Sequence, residues 1–393
     1  LNILIVSDSI KNPIGGAFIS ILRFAEGLSK RGHKIIFIAP RYGNLPAIDD
    51  YKGMKIYRFQ SFPIPKSEKQ YYISFPKVKQ IKDIMKKEKI DLLHVILPTP
   101  AAIAAIKAAR AMGIKTVGHS HFHAKNIFIH LPGFLHNPKF YEAFYNYLVW
   151  AYRDVDVIVC PSKLLQKILK KSKYKQKIYV ISNGINLSEF KIIDFRPFIK
   201  KFNLDENKKR ALFIGRLHPE KDIETLIRAV PFVLKKYKNF EVNIVGVGYL
   251  RNDLENLTKE LGIDKHVKFF GKLYGKELLM AYNACDFFIL PSIVETEGMV
   301  LLEAMACGKP ILVSNSKESA SRYFVRKNGF LFKSRNPKSL AKKILRLIKN
   351  SNLRKKFGKQ SFLNSRKYDI EISVSELEEV YYYFDNNFYI YFI

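Results

Sequence analysis

Apolar positions along the chain fall into short runs separated by segments of helical period. ILIV (Ile3 to Val6) is a compact apolar run, followed by a loop with Gly15 and Gly16. FISILRFAEGLSKRGH (Phe18 to His33) then carries Ile21, Leu22, Ala25 and Leu28 at helical spacing, so the order is strand, glycine loop, helix. KIIFIA (Lys34 to Ala39) reads as the next strand. Helix VKQIKDIM (Val78 to Met85), strand DLLHVI (Asp91 to Ile96) and helix AAIAAIKAAR (Ala101 to Arg110) follow, then strands KTVG (Lys115 to Gly118) and VDVIV (Val155 to Val159). IIDFRP (Ile192 to Pro197) reads as a linker, and a second set begins beyond it. Its strands are ALFIG (Ala211 to Gly215), EVNIVG (Glu241 to Gly246), VKFFG (Val267 to Gly271), DFFIL (Asp286 to Leu290) and ILVS (Ile311 to Ser314), with helical stretches between them.

Short strands alternating with helices predict parallel sheets covered on both faces. The chain is therefore expected to hold two successive doubly wound α/β units, with domains at 1–192 and 193–370. Such sheets bind ligands beyond the carboxyl ends of their strands, so two units of this kind would enclose a central cleft.

A length of 393 residues also favours two domains over one. Hydrophobic residues make up 48% and charged residues 26%, which excludes a disordered chain. No apolar run approaches the ~20 residues that span a bilayer, and LNILIVSD (Leu1 to Asp8) has no leader pattern, so the cytoplasm is the expected compartment. Cys160, Cys285 and Cys307 lie far apart without a CxxC pair and read as core residues. The charge changes the picture more. Lys and Arg number 67 against 35 Asp and Glu, a net +32 that attracts nucleic acid, anionic lipid or phosphorylated substrates. Its even spread from Lys11 to Lys367 is also what compositional bias produces. Nucleic acid is set aside as a partner, because no zinc finger or aromatic RNA-binding signature accompanies the charge.

Candidate chemistry sits at the strand ends of the second half. Arg216 follows a strand end directly and Lys221 comes five residues later, suited to clamp two phosphate groups by a planar fork and a point charge. ETEGMVLLEAMACGKP (Glu295 to Pro310) sets Glu295 and Glu303 eight positions apart around Gly298. If Gly298 opens a helix, its backbone N–H groups face an anion and Glu303 lies in about the second turn. The acids then read polyol hydroxyls beside a phosphate site; as plain helix and first-turn acids they need no ligand. VGHSHFHAKN (Val117 to Asn126) places three histidines at alternate positions, a conceivable metal face or simply a polar loop. Asp154 and Asp156 form a DxD at the start of an apolar strand. GVGYLR (Gly246 to Arg251) begins like a dinucleotide fingerprint but has Arg251 where the third glycine belongs, which counts against an oxidoreductase.

These segments together resemble the retaining glycosyltransferases of family 4, which have the GT-B fold of two Rossmann-like domains facing a cleft. The two-glutamate segment matches except at Glu297 and Met299. Gly15 and Gly16 fit the N-terminal glycine loop, VDVIVCPS (Val155 to Ser162) a strand before the interdomain segment, and ISNGIN (Ile181 to Asn186) a PNGID turn. FIGRLHPEK (Phe213 to Lys221), IVGVGY (Ile244 to Tyr249), FFG (Phe269 to Gly271) and KNGFL (Lys327 to Leu331) follow in family order. At Val247 the family usually has Asp.

The resemblance implies an enzyme that moves a hexose from a nucleoside diphosphate sugar, of UDP-glucose or GDP-mannose type, to an acceptor hydroxyl with the anomeric configuration kept. By resemblance Glu303 binds the ribose, Glu295 the hexose, and Arg216 with Lys221 the diphosphate. Gly298, Met299 and Val300 offer backbone N–H groups, and Gly16 lies against the phosphate. VGHSHFHAKN is similar to the GTNHFMPEN stretch of a lipid-active branch, which aligns His121 with the active-site histidine and puts Lys125 in place of a glutamate. Asp156 matches a structural acid, no metal site is assigned, and no metal cofactor is required. Residues 371–393 are expected to return to the first domain. A catalytically dead nucleotide-sugar binder is the alternative within the fold. For the acceptor, the aromatic stretch FYEAFYNYLVWAY (Phe140 to Tyr152) and the basic SKLLQKILKKSKYKQK (Ser162 to Lys177) suit contact with an anionic membrane surface and a glycolipid or lipid-linked acceptor. A core helix beside a lysine-coated surface helix, with a soluble carbohydrate acceptor, is the rival reading.

Overall fold

The computed structural model describes residues 1–7, 10, 16–64 and 72–382. It divides into two compact units, one formed by Leu1–Ala124, Asn137–Gly184 and Ile370–Ile393, the other by Lys125–His136 and Ile185–Asp369. The chain thus passes to the second unit at Gly184, earlier than the expected boundary at 192. Residues Ile192–Pro197 belong to that second unit, where the helix Arg196–Lys201 buries Phe198 and Ile199.

In the first unit the strands are β1 (Asn2–Val6), β2 (Lys34–Arg41), β3 (Ile48–Tyr51), β4 (Met54–Pro63), β5 (Tyr72–Ser74), β6 (Leu92–Val95), β7 (Lys115–His119), β8 (Val157–Cys160) and β9 (Lys177–Val180). They form one sheet in the order β3-β4-β2-β1-β6-β7-β8-β9, with β5 on β4. The strands from β4 through β9 along this path pair in parallel, and β6 and β8, in its middle, are buried on both faces as parallel pairing favours. At one edge the structure departs from the all-parallel expectation, since β3 and β5 both run antiparallel to β4. IDDY, the sequence of β3, is half polar and largely solvated, so it gives no apolar signal.

Helix Gly16–Lys30 packs against helix Ile370–Tyr382 so closely that a Cβ on Gly27 would meet Val374 Cγ2 at 2.5 Å. Arg31 donates to Glu378 at 2.8 Å, and Tyr381 Oη lies 2.5 Å from His94 Nδ1. Of the aromatic tail beyond Tyr381, residues 383–393 lie outside the described residues.

The second unit contains β10 (Lys209–Ile214), β11 (Phe240–Val245), β12 (Val267–Gly271), β13 (Phe287–Leu290), β14 (Ile311–Ser314) and β15 (Gly329–Phe332). All pair in parallel in the order β12-β11-β10-β13-β14-β15. Counted within the unit this is 3-2-1-4-5-6, the doubly wound order of dinucleotide-binding sheets, and the order reverses between β10 and β13. A fully buried layer that includes Phe213, Ile244, Phe287 and Phe288 holds these strands. The loops leaving β10 and β13 therefore flank the crevice where such a sheet receives its ligand.

Candidate active site

The loop leaving β10 begins with Gly215 and Arg216. Leu217 is fully buried and anchors it, its N–H donating to Val247 O at 2.9 Å in the loop that leaves β11. Gly246 makes the close approach of these two loops tolerable: at φ +140° a Cβ there would fall 1.9 Å from Gly215 O. After a single 3-10 turn, Pro219–Lys221, the Ile293 N–H of the β13 loop donates to Glu220 O at 2.9 Å. The strand ends on either side of the reversal are thus tied together through their backbones.

Their side chains meet as well. Lys221 Nζ donates to Glu295 Oε1 at 2.5 Å, with both side chains largely shielded, and Arg216 Nη2 donates to the fully buried Glu220 at 3.0 Å. Each candidate phosphate cation is therefore held in place by a carboxylate. An ammonium has three donors and a guanidinium five, so each can keep its carboxylate and still meet a phosphate oxygen.

Gly298 opens the helix Met299–Ala306, as expected, and sits at φ +105°. A Cβ there would come within 2.3 Å of Ser321 Oγ, which itself donates to Glu297 O, so only glycine fits. Gly298 has no side chain with which to cap this helix and no acid lies in its first turn, so the N–H groups of Met299 and Val300 form an anion-attracting start. Glu303 lies in the second turn and is nearly buried; Tyr282, fully buried, donates its hydroxyl to Glu303 Oε2 at 2.7 Å. Burial, together with the Glu303 charge, holds the Tyr282 hydroxyl pKa well above the usual tyrosine range, so it remains a donor. Tyr282 carries no motif that points to its role in the sequence. The Glu220 carboxylate lies within a quoted motif, but only the fold shows what it holds.

In the first unit, Gly16 is the first residue of its helix, while Gly15 and the rest of the glycine loop lie outside the described residues. His119 stacks on His121 with ring centroids 4.3 Å apart and on His94 at 5.4 Å, a column of imidazoles beside Tyr381. Burial pushes His121 down to about 4 and His94 to about 3, so both rings are neutral at neutral pH. Asp156 accepts from Thr116 N at 2.7 Å and Thr116 Oγ1 at 3.0 Å, fastening the starts of β7 and β8, and Asp154 pairs with Arg110. The DxD is thereby occupied in structural contacts. Lys125 pairs with Glu318 at 2.6 Å in the second unit.

Residues 14–189 match the family model described as Glycosyltransferase Family 4, and residues 194–363 the one described as Glycosyl transferases group 1. The chain is a family 4 glycosyltransferase with the GT-B fold. Among its relatives is the alpha-monoglucosyldiacylglycerol synthase of Streptococcus pneumoniae, 28% identical over 324 residues, or 79% of this chain and 70% of that protein. A glycosyltransferase of Methanocaldococcus jannaschii is 27% identical over 381 residues, covering 91% of this chain and 90% of the other. The transferase shares its fold with sucrose-phosphate synthase from Thermosynechococcus elongatus, at a TM-score of 0.80 and 19% identity over 97% of this chain and 98% of that one. It also shares it with Anabaena HepE in complex with UDP-glucose, at a TM-score of 0.76 and 18% identity over 96% and 98%. No helix among the described residues of the transferase is long and apolar enough to cross a membrane.

Proposed function

We propose that this transferase moves a hexose from a UDP- or GDP-linked donor to a hydroxyl of a membrane glycolipid or lipid-linked acceptor, with retention at the anomeric carbon. The observation that carries the donor half is the pairing of Lys221 with Glu295, and of Arg216 with Glu220, on the loops that leave β10 and β13 at the reversal of strand order, Glu295 lying just before the Gly298 helix. In this reading the diphosphate lies against Arg216, Lys221 and the N–H groups of Gly298, Met299 and Val300. Glu303 accepts the ribose hydroxyls, with Tyr282 fixing its other oxygen, and Glu295 accepts a hexose hydroxyl while remaining on Lys221.

Transfer breaks the bond from the anomeric carbon to the diphosphate oxygen and forms one to the acceptor oxygen. The acceptor proton passes to the leaving phosphate. Negative charge grows on that phosphate as the bond breaks, so fixed cations beside it favour the transition state over the ground state. His121, a neutral imidazole, is suited to hydrogen-bond a sugar hydroxyl rather than to serve as the base. No metal is assigned to this step.

The lipid acceptor is supported by the chain's relatives, which include two alpha-monoglucosyldiacylglycerol synthases, and by the first unit's surface. Helix Pro138–Ala151 buries only Leu148 and Ala151 and leaves Phe140, Tyr147 and Trp150 more than 40% exposed. Helix Lys163–Lys171 buries Leu165 and Leu169 and exposes Lys163, Lys167, Lys170 and Lys171. Aromatics with clustered lysines favour an anionic interface. A panel of nucleotide sugars scored by the rise in unfolding temperature tests the donor, and sedimentation with anionic vesicles at varied salt tests the surface. Stabilisation by no nucleotide sugar contradicts the first half, and no vesicle binding at low salt the second.

A further inference from the structure

Segment Lys125–His136 leaves the first unit between β7 and β8 and packs with the second. It brings His130 to the loop that leaves β10, where His130 Nε2 lies 3.4 Å from Glu220 Oε2 and His218 Nδ1 lies 3.9 Å from Glu220 Oε1. One donor atom from each of these residues falls within 4.8 Å of both others. Neighbouring ligands of a tetrahedral zinc with bonds of ~2.0–2.1 Å are ~3.3 Å apart, so a modest contraction closes the shell.

Two further features set this cluster apart from an ordinary ion pair. Glu220 is fully buried, and its Oε2, like His218 Nδ1, has no hydrogen-bond partner among the described residues. The outer contacts are also in place. Tyr249 Oη lies 3.1 Å from His130 Nδ1, orienting the ring with Nε2 toward Glu220, and Arg216 holds Glu220 Oε1 so that Oε2 faces His130.

We propose that His130, His218 and Glu220 form a zinc site that fastens segment Lys125–His136 to the β10 loop of the second unit. Two imidazoles and one carboxylate with a fourth position open suit zinc, whereas magnesium and calcium require oxygen ligands. Arg216 opposes a dication through its charge, so binding is weaker than at an all-thiolate structural site. Because Arg216 and the zinc share Glu220, the site sits against the groups assigned to the diphosphate without using the donor itself.

The test is titration of the chelator-treated full chain with Co2+, followed by competition with Zn2+. One equivalent of Co2+ should give the strong visible band of a four-coordinate ion, and one equivalent of Zn2+ should bleach it. His130→Ala should abolish the band, while His136→Ala, an exposed histidine outside the cluster, should leave it intact. Tyr249→Phe keeps all three ligands and should weaken affinity by about 10-fold, as loss of an orienting contact does. Metal-free unfolding temperatures equal to wild type establish that each variant is folded; if His130→Ala is not, Tyr249→Phe decides. Absence of the band in the wild-type protein, or Co2+ binding by folded His130→Ala equal to wild type, overturns the proposal, as does a folded Tyr249→Phe with unchanged affinity when it is the deciding variant.

Discussion

Replacing Tyr282 with Phe removes one oxygen and keeps the ring that packs against Phe190 and Phe288. The oxygen donates to Glu303 Oε2 at 2.7 Å at a position where Tyr282 is fully buried and Glu303 only 8% exposed. Removing a hydrogen bond to a buried carboxylate costs ~1.5–3 kcal/mol. In a unit of this size ~1 kcal/mol moves the midpoint by ~2–4 °C, so its unfolding temperature should fall by ~3–12 °C. Function should change in a specific way. With Glu303 less firmly held, the donor KM should rise by ~3–10-fold while kcat stays within about 2-fold, the pattern of lost binding common to ground and transition states. Thermal unfolding and initial rates at varied donor concentration measure the two effects. A Glu303→Gln background, in which the acceptor charge is already gone, should shrink the stability loss. An unchanged midpoint refutes the energetic reasoning. A lowered midpoint with an unchanged donor KM refutes the assignment of Glu303 to the donor.

Other expectations follow from the same geometry. Gly298→Ala should lower stability by ~1–3 kcal/mol, because an L-residue at φ +105° is strained and its Cβ would strike Ser321; urea unfolding of Gly298→Ala and of Gly298→Ala with Ser321→Gly separates the clash, which the second change relieves, from the backbone term, which it does not. Acid should loosen the first unit. His94 and His121 have folded pKa values of about 3 and about 4, below the unfolded value, so the unfolded chain binds protons that the folded one does not. Stability is then full above pH ~6.5 and is lost as pH falls from there toward about 4 for His121 and about 3 for His94, by ~1–2 kcal/mol per imidazole between pH 7 and 5. Urea midpoints of wild type and His94→Gln across that range check the sign, and the variant should show the shallower decline.

The apolar rhythm carried the fold because these sheets are buried on both faces. FFIL and EVNIVG must be central strands wherever they occur, and the loops after them must hold the ligand-facing residues. The same rhythm could not show β3, whose IDDY is solvated, nor the membership of Lys125–His136 in the second unit, which depends on contacts far along the chain. Gly298 was legible as a helix start from one glycine before an apolar run. Tyr282 was not, because a tyrosine at a buried helical position looks like any other core aromatic until the carboxylate facing it is placed. The partners of Arg216 and Lys221 were half legible: all four residues lie in the quoted segments, but spacing alone could not pair Lys221 with Glu295 across 74 residues.

The central claim is that fixed cations at the reversal of strand order stabilise the leaving diphosphate. Its most direct test is the transfer rate of Lys221→Ala at saturating donor, in protein shown by its unfolding profile to be folded and by calorimetry to bind the nucleotide sugar. Loss of one preorganised charge at the leaving group predicts a kcat reduced by ~100–1,000-fold. A folded, donor-saturated variant that transfers sugar within about 3-fold of wild type would contradict that loss and the account built on it.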